Sequence, residues 1–196
     1  TTLTADDGIK HESDLVAQSH EVAEQIGNLL GEFGASYGDV VKINRYYVAG
    51  GTAEEWEGAA LAVGSYFEEP GPAATGIPIP QLFRPGLMVS VEMTAMLGEE
   101  GEHLSREHTW PKGHWDWPAH LPYKHGIRCG NMVYVGGQVS MDPKGVILDR
   151  GDLVAQTRTC MKNIADVLAG FGLDLDDVVK VTAFYAGNAS AELLHE

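Results

Sequence analysis

Cysteine is scarce in this chain, which has 196 residues and two cysteines. Cys129 and Cys160 stand alone, without a C-x-x-C spacing, so the sequence predicts neither a disulfide framework nor a zinc knuckle. Structural disulfides belong to oxidising compartments. We therefore expect a protein of the reducing cytoplasm.

Basic side chains are also few, at 13 Lys and Arg against 28 Asp and Glu, for a formal net charge of −15. A surface this acidic repels phosphate backbones and lacks the basic stripe that a nucleic-acid-binding protein needs. The charge therefore argues against a nucleic-acid partner.

Long apolar runs are missing too, since none approaches the roughly 18 residues of a membrane span. The N-terminal stretch is acidic at Asp6 and Asp7 and does not follow the basic-then-apolar pattern of a signal peptide. We expect no membrane partner.

What the sequence does contain is a long internal repeat. The copy that begins at Asp14 reads DLVAQSHEVAEQIGNLLGEFGASYGDVVKINRYYV, and the copy that begins at Asp152 reads DLVAQTRTCMKNIADVLAGFGLDLDDVVKVTAFYA. The two copies align without a gap. A repeat of this length indicates a duplicated domain segment, not a short motif.

Each copy predicts a helix followed by a strand. An Asp stands at the N-cap position, apolar residues recur at helical spacing, and Gly34 or Gly172 ends the helix. A run of β-branched and aromatic residues follows, over 40–48 in the first copy and 178–185 in the second. The repeat indicates an architecture and no chemistry, so the function must be sought elsewhere.

The segments around the repeat indicate two units, and each is incomplete. Residues 1–98 form the first unit, which lacks its opening strands, and the polar residues 99–119 are predicted to be a linker. Residues 120–196 form the second unit, which lacks its closing helix and strand. The expected fold class is α+β, with helices packed on one face of a mixed β-sheet, duplicated along the chain.

The order of these segments resembles the RidA/YjgF family. The resemblance is carried by VYVGGQVSMDPKG, DLVAQTRTCMKNIADVLAGFG and DDVVKVTAFY in the second unit, and by PGPAATGIPIPQL and LMVSVEMTAM in the first. It implies a RidA/chorismate-mutase-like α+β fold and a homo-oligomer, a trimeric ring with active sites in clefts between subunits. It further implies hydrolysis of a small imine or enamine to a keto acid and ammonia, with no metal and no organic cofactor.

The resemblance also implies site residues. The family's tyrosine falls on Tyr123 and its acid on Glu92, and these two are the expected catalytic residues. The expected substrate-binding residues are Thr75, Gly137 and Gln138. The family's arginine, which clamps a substrate carboxylate, falls on Ala74, and alanine cannot make that bidentate contact.

Two functions from different classes stay open. Tyr123 and Glu92 favour an imine or enamine deaminase, whereas Ala74 favours a non-catalytic ligand-binding or regulatory protein. Each candidate also has a structural interpretation. Glu92 would then be a solvated strand residue, and Tyr123 would be a packed aromatic ring whose hydroxyl is exposed to solvent.

Histidine is concentrated around the predicted linker, where imidazole and carboxylate groups could in principle bind zinc. Their spacing fits no standard metal pattern, so we expect no metal site. We expect the tryptophans among them to anchor the linker across a subunit surface. The residues concerned are His103, His108, His114, His120, His125, Asp116, Trp110, Trp115 and Trp117.

Overall fold

The computed structural model describes residues 2–3, 8–48 and 53–187 of the chain. These ranges contain three helices and six strands, with short 3₁₀ turns at Tyr37–Asp39 and Leu175–Asp177. In chain order these elements are α1 (Leu15–Glu32), β1 (Val40–Val48), α2 (Ala53–Gly64), β2 (Ala73–Ile79), β3 (Val89–Ala95), β4 (Arg106–Thr109), β5 (Gly126–Cys129), β6 (Met132–Val135) and α3 (Leu153–Ala169).

The first sheet has the order β2-β1-β3 and is mixed, because β1 runs parallel to β2 and antiparallel to β3. Burial alternates along β1 with the period of two that a strand requires. Its inner face, which carries Ile43, Arg45 and Tyr47, packs towards α1 and α2. The α+β class and the placement of helices on one face of a mixed sheet are confirmed.

The main core lies between this inner face and α2, and it takes side chains from both halves of the chain. Ile43 and Val63 of the first half pack in one cluster with Leu121 and Tyr123 of the second. All four are buried, so the apolar surface that they remove from water stabilises the contact between the halves. The segment that follows the predicted linker thus completes the core of the first unit.

The two repeat helices begin in the same way, as predicted. Asp14 accepts a hydrogen bond from the backbone N–H of Ala17 at 2.9 Å, and Asp152 accepts one from Ala155 at 2.9 Å. Each bond satisfies one of the backbone donors that a helix N-terminus leaves unpaired. The repeated sequence therefore forms the same local structure in both positions.

The strands that follow the two helices differ. Residues 40–48 form β1, but the described residues of the second copy, 178–187, form no strand, and Val179 is 86% exposed. The prediction of a strand over 178–185 is therefore wrong for the described chain. A strand needs ladder hydrogen bonds, and β1 receives them from β2 and β3, whereas the second copy has no such neighbours within the described ranges.

A second sheet has the order β4-β5-β6 and is antiparallel throughout. Its first strand, Arg106–Thr109, lies inside the segment predicted to be a linker, so the prediction is wrong for this part of 99–119, which is sheet. Helix α3 packs on this sheet at Gly126, where a Cβ atom would lie 2.7 Å from the side chain of Val167. The division of the chain into two units stays a prediction.

Backbone hydrogen bonds join the second half of the chain to the free edge of β2. The N–H of Lys124 donates to the carbonyl of Pro72 at 3.1 Å, and that of Gly137 donates to Ala74 at 2.9 Å. The opening segments of the second unit therefore contact the first unit within one chain. In the described ranges, no helix combines the length and the apolar character of a bilayer span.

Candidate functional site

Two of the predicted site residues share a row on the outer face of the first sheet, the face opposite α1 and α2. Strand register sets Thr75 beside Asn44 on one side, and Glu92 beside Asn44 on the other. Cross-strand partners project from the same face. Asn44 Nδ2 donates to Glu92 Oε2 at 3.4 Å, and Glu92 is exposed, so the row carries a solvent-accessible carboxylate.

Lys42 lies beside this row and was not among the predicted site residues. Its Nζ donates to Thr75 Oγ1 at 2.7 Å and to the carbonyl of Val135 at 2.7 Å. Burial lowers the pKa of Lys42 to about 8. The sequence signal for Lys42 was the DVVK motif, which occurs in both copies of the repeat. The lysine of the second copy, Lys180, is exposed, so the motif alone does not single out Lys42.

Thr75 and Gly137, both predicted to bind substrate, are brought together. A Cβ atom at Gly137 would lie 2.8 Å from Thr75 Cγ2, closer than real contacts allow. The backbone of Gly137 also bonds to Ala74, the neighbour of Thr75. Glycine is therefore needed at 137 because a side chain would push the second half of the chain away from β2.

Tyr123, by contrast, lies in the core on the inner side of the sheet. Its side chain is 1% exposed and packs edge-on against Phe67 and Trp117 at 6.1 and 6.4 Å between ring centroids. Its hydroxyl has no hydrogen-bond partner among the described residues. Burial raises the pKa of Tyr123, and the nearby Arg45 guanidinium partly opposes that rise.

Ala74 belongs to the same buried cluster as Tyr123, and both lie across the sheet from Glu92. A single chain therefore brings Tyr123 and Ala74 together but does not place Tyr123 and Glu92 in one cleft. The two catalytic roles stay predictions.

Gln138, the third predicted substrate-binding residue, is engaged by side chains of its own chain. Its Oε1 accepts from Trp115 Nε1 at 3.1 Å and lies 2.8 Å from His114 Nε2. Its Nε2 donates to the carbonyl of Gly136 at 3.1 Å. The amide thus joins the residues that follow β6 to the segment that precedes β5.

His125 lies at the centre of this aromatic cluster. Its ring stacks on Trp117 at 4.8 Å and meets Trp110 and Trp115 edge-on at 4.5 and 4.6 Å. Its Nε2 donates to the carbonyl of Trp115 at 2.8 Å, and the side chain is fully buried. Burial, and secondarily His114, lowers the pKa of His125 to about 4, so the imidazole is neutral at pH 7.

The three tryptophans predicted to anchor the linker across a subunit surface instead pack around His125 within the chain. Across residues 2–3, 8–48 and 53–187, no group of three or more His, Cys, Asp or Glu side chains is placed to hold a metal ion. His103 bonds to the carboxylate of Asp39 through Nδ1 at 2.7 Å. That contact ties the predicted linker to the start of β1.

Two open grooves lie along the segment that covers the core. One has a volume of about 240 Å³ and includes Gly64 and Phe67, and the other, of about 510 Å³, includes Trp110 and Trp117. Neither is lined by Glu92 or Tyr123. The predicted catalytic residues therefore do not share either groove.

Comparison with known proteins agrees with the fold described above. A solved chorismatase structure, 18% identical, superposes with a TM-score of 0.54 over 81% of this chain and 50% of that one. At this identity the likeness shows the fold alone. The class of protein is thus an α+β protein with a chorismatase-like arrangement of sheet and helices.

Sequence comparison relates the second half of the chain to a known family. Residues 116–194 match the sequence model of the Endoribonuclease L-PSP family. A RutC family protein of Pyrococcus horikoshii is 40% identical over 63 residues, which are 32% of this chain and 50% of that protein. The 2-iminobutanoate/2-iminopropanoate deaminase of Salmonella typhimurium is 38% identical over 64 residues, which are 32% of this chain and 48% of that enzyme.

The second half of the chain is therefore similar in sequence to the RidA/YjgF family. The chain spans about half the length of the curated relatives that it matches.

Proposed function

We propose that this protein hydrolyses a small imine or enamine to a carbonyl compound and ammonia on the outer face of the first sheet. The observation that carries the proposal is the row formed by Thr75, Asn44 and Glu92, with Lys42 beside it. The row and Lys42 present an amine, a hydroxyl, an amide and an accessible carboxylate on one face. Relatives that are named as imine deaminases favour this reaction class.

The chemistry requires a group that moves protons at the imine carbon. Water adds to the carbon of the protonated imine while the Glu92 carboxylate accepts one of the water protons, which gives a neutral carbinolamine. Glu92 then returns that proton to nitrogen, the C–N bond breaks as the C=O bond forms, and the hydroxyl proton leaves with the ammonia as ammonium. A positioned carboxylate in such a role contributes roughly 10²- to 10⁴-fold in rate.

A second subunit is part of the proposal. Glu92 is exposed on a face that α1 and α2 leave open, while Tyr123 is buried on the other side. Phe184 reaches Tyr46 on this face at 6.1 Å between ring centroids, but the described residues leave Glu92 exposed, and in this proposal another chain closes the cleft. This agrees with the intersubunit cleft that the family resemblance implies.

The decisive measurement is ammonia release from freshly generated 2-iminopropanoate and 2-iminobutanoate. We expect slow turnover, because Ala74 supplies no carboxylate clamp. Glu92→Gln should lower the rate by roughly 10²-fold or more, and Glu99→Gln, at an exposed carboxylate outside β3, should leave it unchanged. Equal rates for Glu92→Gln and the parent chain would remove Glu92 from the mechanism.

A ligand-binding protein without chemistry is the second candidate. It is favoured by Ala74 and by Tyr123, whose buried hydroxyl has no partner among the described residues, since neither residue lies on the outer face where a substrate would bind. Calorimetric binding of a stable keto acid, with no ammonia release from the imines, would support this candidate over the enzyme.

A further inference from the structure

Lys42 is set apart from the other lysines of the chain by its surroundings. It is half-buried, and both of its hydrogen-bond partners are uncharged oxygens, Thr75 Oγ1 and the carbonyl of Val135. None of the ion pairs in the described part of the chain includes Lys42, whereas Lys10, Lys124 and Lys162 each face a carboxylate. A half-buried amine without a counter-charge is costly to keep protonated.

The geometry suits the neutral amine. An unprotonated lysine has two N–H donors and one lone pair, and the two oxygens at 2.7 Å match the two donors. The lone pair of Nζ is then not used in a hydrogen bond. This lone pair is what makes an amine a nucleophile. With a pKa of about 8, roughly a tenth of the amine is unprotonated at pH 7, far more than for an ordinary lysine.

We propose that Lys42 is a carbonyl-reactive lysine that forms a Schiff base with small aldehydes and ketones at the outer face of the sheet. Nζ attacks the carbonyl carbon, and a proton passes from nitrogen to the carbonyl oxygen through the Thr75 hydroxyl. The carbinolamine then loses water, and a C=N bond joins the ligand to the side chain. Addition of water reverses the reaction, so no oxidant or reductant is consumed.

This inference stands apart from the proposed deamination. The product of that reaction is a carbonyl compound, so it falls within the ligand class of Lys42, but the amine needs no deamination step in order to react. The two proposals can therefore fail separately.

The repeat supplies a matched control within the same molecule. Lys180 occupies the same position in the second DVVK motif as Lys42 does in the first, but it is exposed. The local sequence is therefore the same, and only the tertiary environment differs. Any preference for Lys42 over Lys180 measures that environment.

The experiment treats the native chain with acetaldehyde and cyanoborohydride at pH 7 and follows each lysine by peptide mass mapping. Reduction of the imine fixes the label as an ethyl group. We expect Lys42 to be labelled at least about tenfold faster than Lys180, because the half-buried Lys42 amine has no counter-charge to keep it protonated. Thr75→Val, which removes the hydroxyl neighbour, should slow labelling at Lys42 and leave Lys180 unchanged.

Labelling at Lys42 that is no faster than at Lys180 would overturn the proposal, and so would selective labelling elsewhere with Lys42 untouched. Because the comparison is made within the unmodified chain, it does not depend on the folding of a Lys42 variant. Trapping at Lys42 without ammonia release from imines would support this inference and reject the deaminase. Ammonia release without trapping would do the reverse.

Discussion

At the scale of single residues, burial decides what the polar side chains of this protein can do. Tyr123 and His125 are two residues apart, and both are almost wholly removed from solvent. The tyrosine hydroxyl has no partner in the described ranges, whereas the imidazole donates to a backbone carbonyl. Burial of the Tyr123 hydroxyl therefore costs desolvation energy that no hydrogen bond offsets. The hydrogen bond of His125 offsets the burial of its imidazole only while the ring is neutral.

Tyr123→Phe tests whether the tyrosine is structural. The ring keeps its packing against Phe67 and Trp117, and the unpaired hydroxyl is removed, so we expect stability to stay equal or to rise by up to about 1 kcal/mol. Tyr123→Ala should instead cost roughly 3–5 kcal/mol through the cavity that it leaves. Chemical denaturation measures both. A loss of more than 1 kcal/mol in the phenylalanine variant would mean that the hydroxyl has a partner.

His125 should make the protein sensitive to acid. Its pKa of about 4 in the folded state lies below the ordinary value of 6.5. Between these two pH values the unfolded chain therefore binds a proton at His125 and the folded chain does not. The contribution of His125 to the free energy of unfolding is fully present above about pH 6.5. It is lost as the pH falls towards 4, which lowers the free energy of unfolding by roughly 3 kcal/mol in total.

Denaturation curves between pH 7 and pH 4 measure this loss. His125→Gln should flatten the dependence of stability on pH, while His108→Gln, at an exposed histidine, should leave it as in the parent chain. An unchanged slope in His125→Gln would show that other groups cause the acid sensitivity.

At the scale of secondary-structure elements, the two copies of the repeat agree within the helix and diverge beyond it. Helices α1 and α3 each begin with an aspartate that caps the third residue after it, at the same distance. Both caps are exposed and depend only on local geometry. Strand β1, in contrast, depends on β2 and β3, which no described residues replace in the second copy.

Removing either cap should therefore have a similar cost. Asp14→Ala and Asp152→Ala each leave a helix N-terminal donor without its side-chain acceptor, and we expect each to destabilise the protein by about 1 kcal/mol. The asparagine variants keep an acceptor and should remain near the parent chain. Urea denaturation gives the comparison. An alanine variant as stable as its asparagine counterpart would show that the cap contributes nothing at that helix.

At the scale of the whole molecule, the second repeat leaves apolar side chains exposed, although Phe184 meets Tyr46 of β1 edge-on at 6.1 Å between ring centroids. Val179, Val181 and Phe184 are 86%, 58% and 54% exposed, on a stretch that forms β1 in the first copy. Exposed apolar surface of this kind marks contact sites between proteins. This supports the homo-oligomer that the resemblance implies, as a proposal.

Light scattering of charge variants tests this surface. Val179→Glu adds a carboxylate to the segment, and we expect it to shift the protein towards the monomer, because burying an unpaired charge in an interface is costly. Phe83→Glu, at a residue 73% exposed on another surface, is the control and should not change the mass. A monomeric parent chain, or an oligomer unaffected by Val179→Glu, would contradict the assembly.

The features that sequence analysis predicted are those that neighbouring residues control. The aspartate caps, the helical spacing and the glycine stops of the repeat lie within a few residues of one another, so α1 and α3 were predictable. The outer-face position of Glu92 followed from alternation along β3. Family motifs likewise identified Thr75 and Gly137, which the structure brings into contact.

Tertiary contacts decided the rest. Lys42 and Lys180 have the same DVVK motif, yet only Lys42 meets Thr75 and Val135, because only β1 lies beside β2 and the end of β6. Tyr123 became a core residue because the second half of the chain folds back over α2. Segment 178–187 failed to become a strand because backbone ladders need neighbours that a local pattern cannot supply. Local physics thus set the elements, and long-range packing set the environment of every candidate functional group.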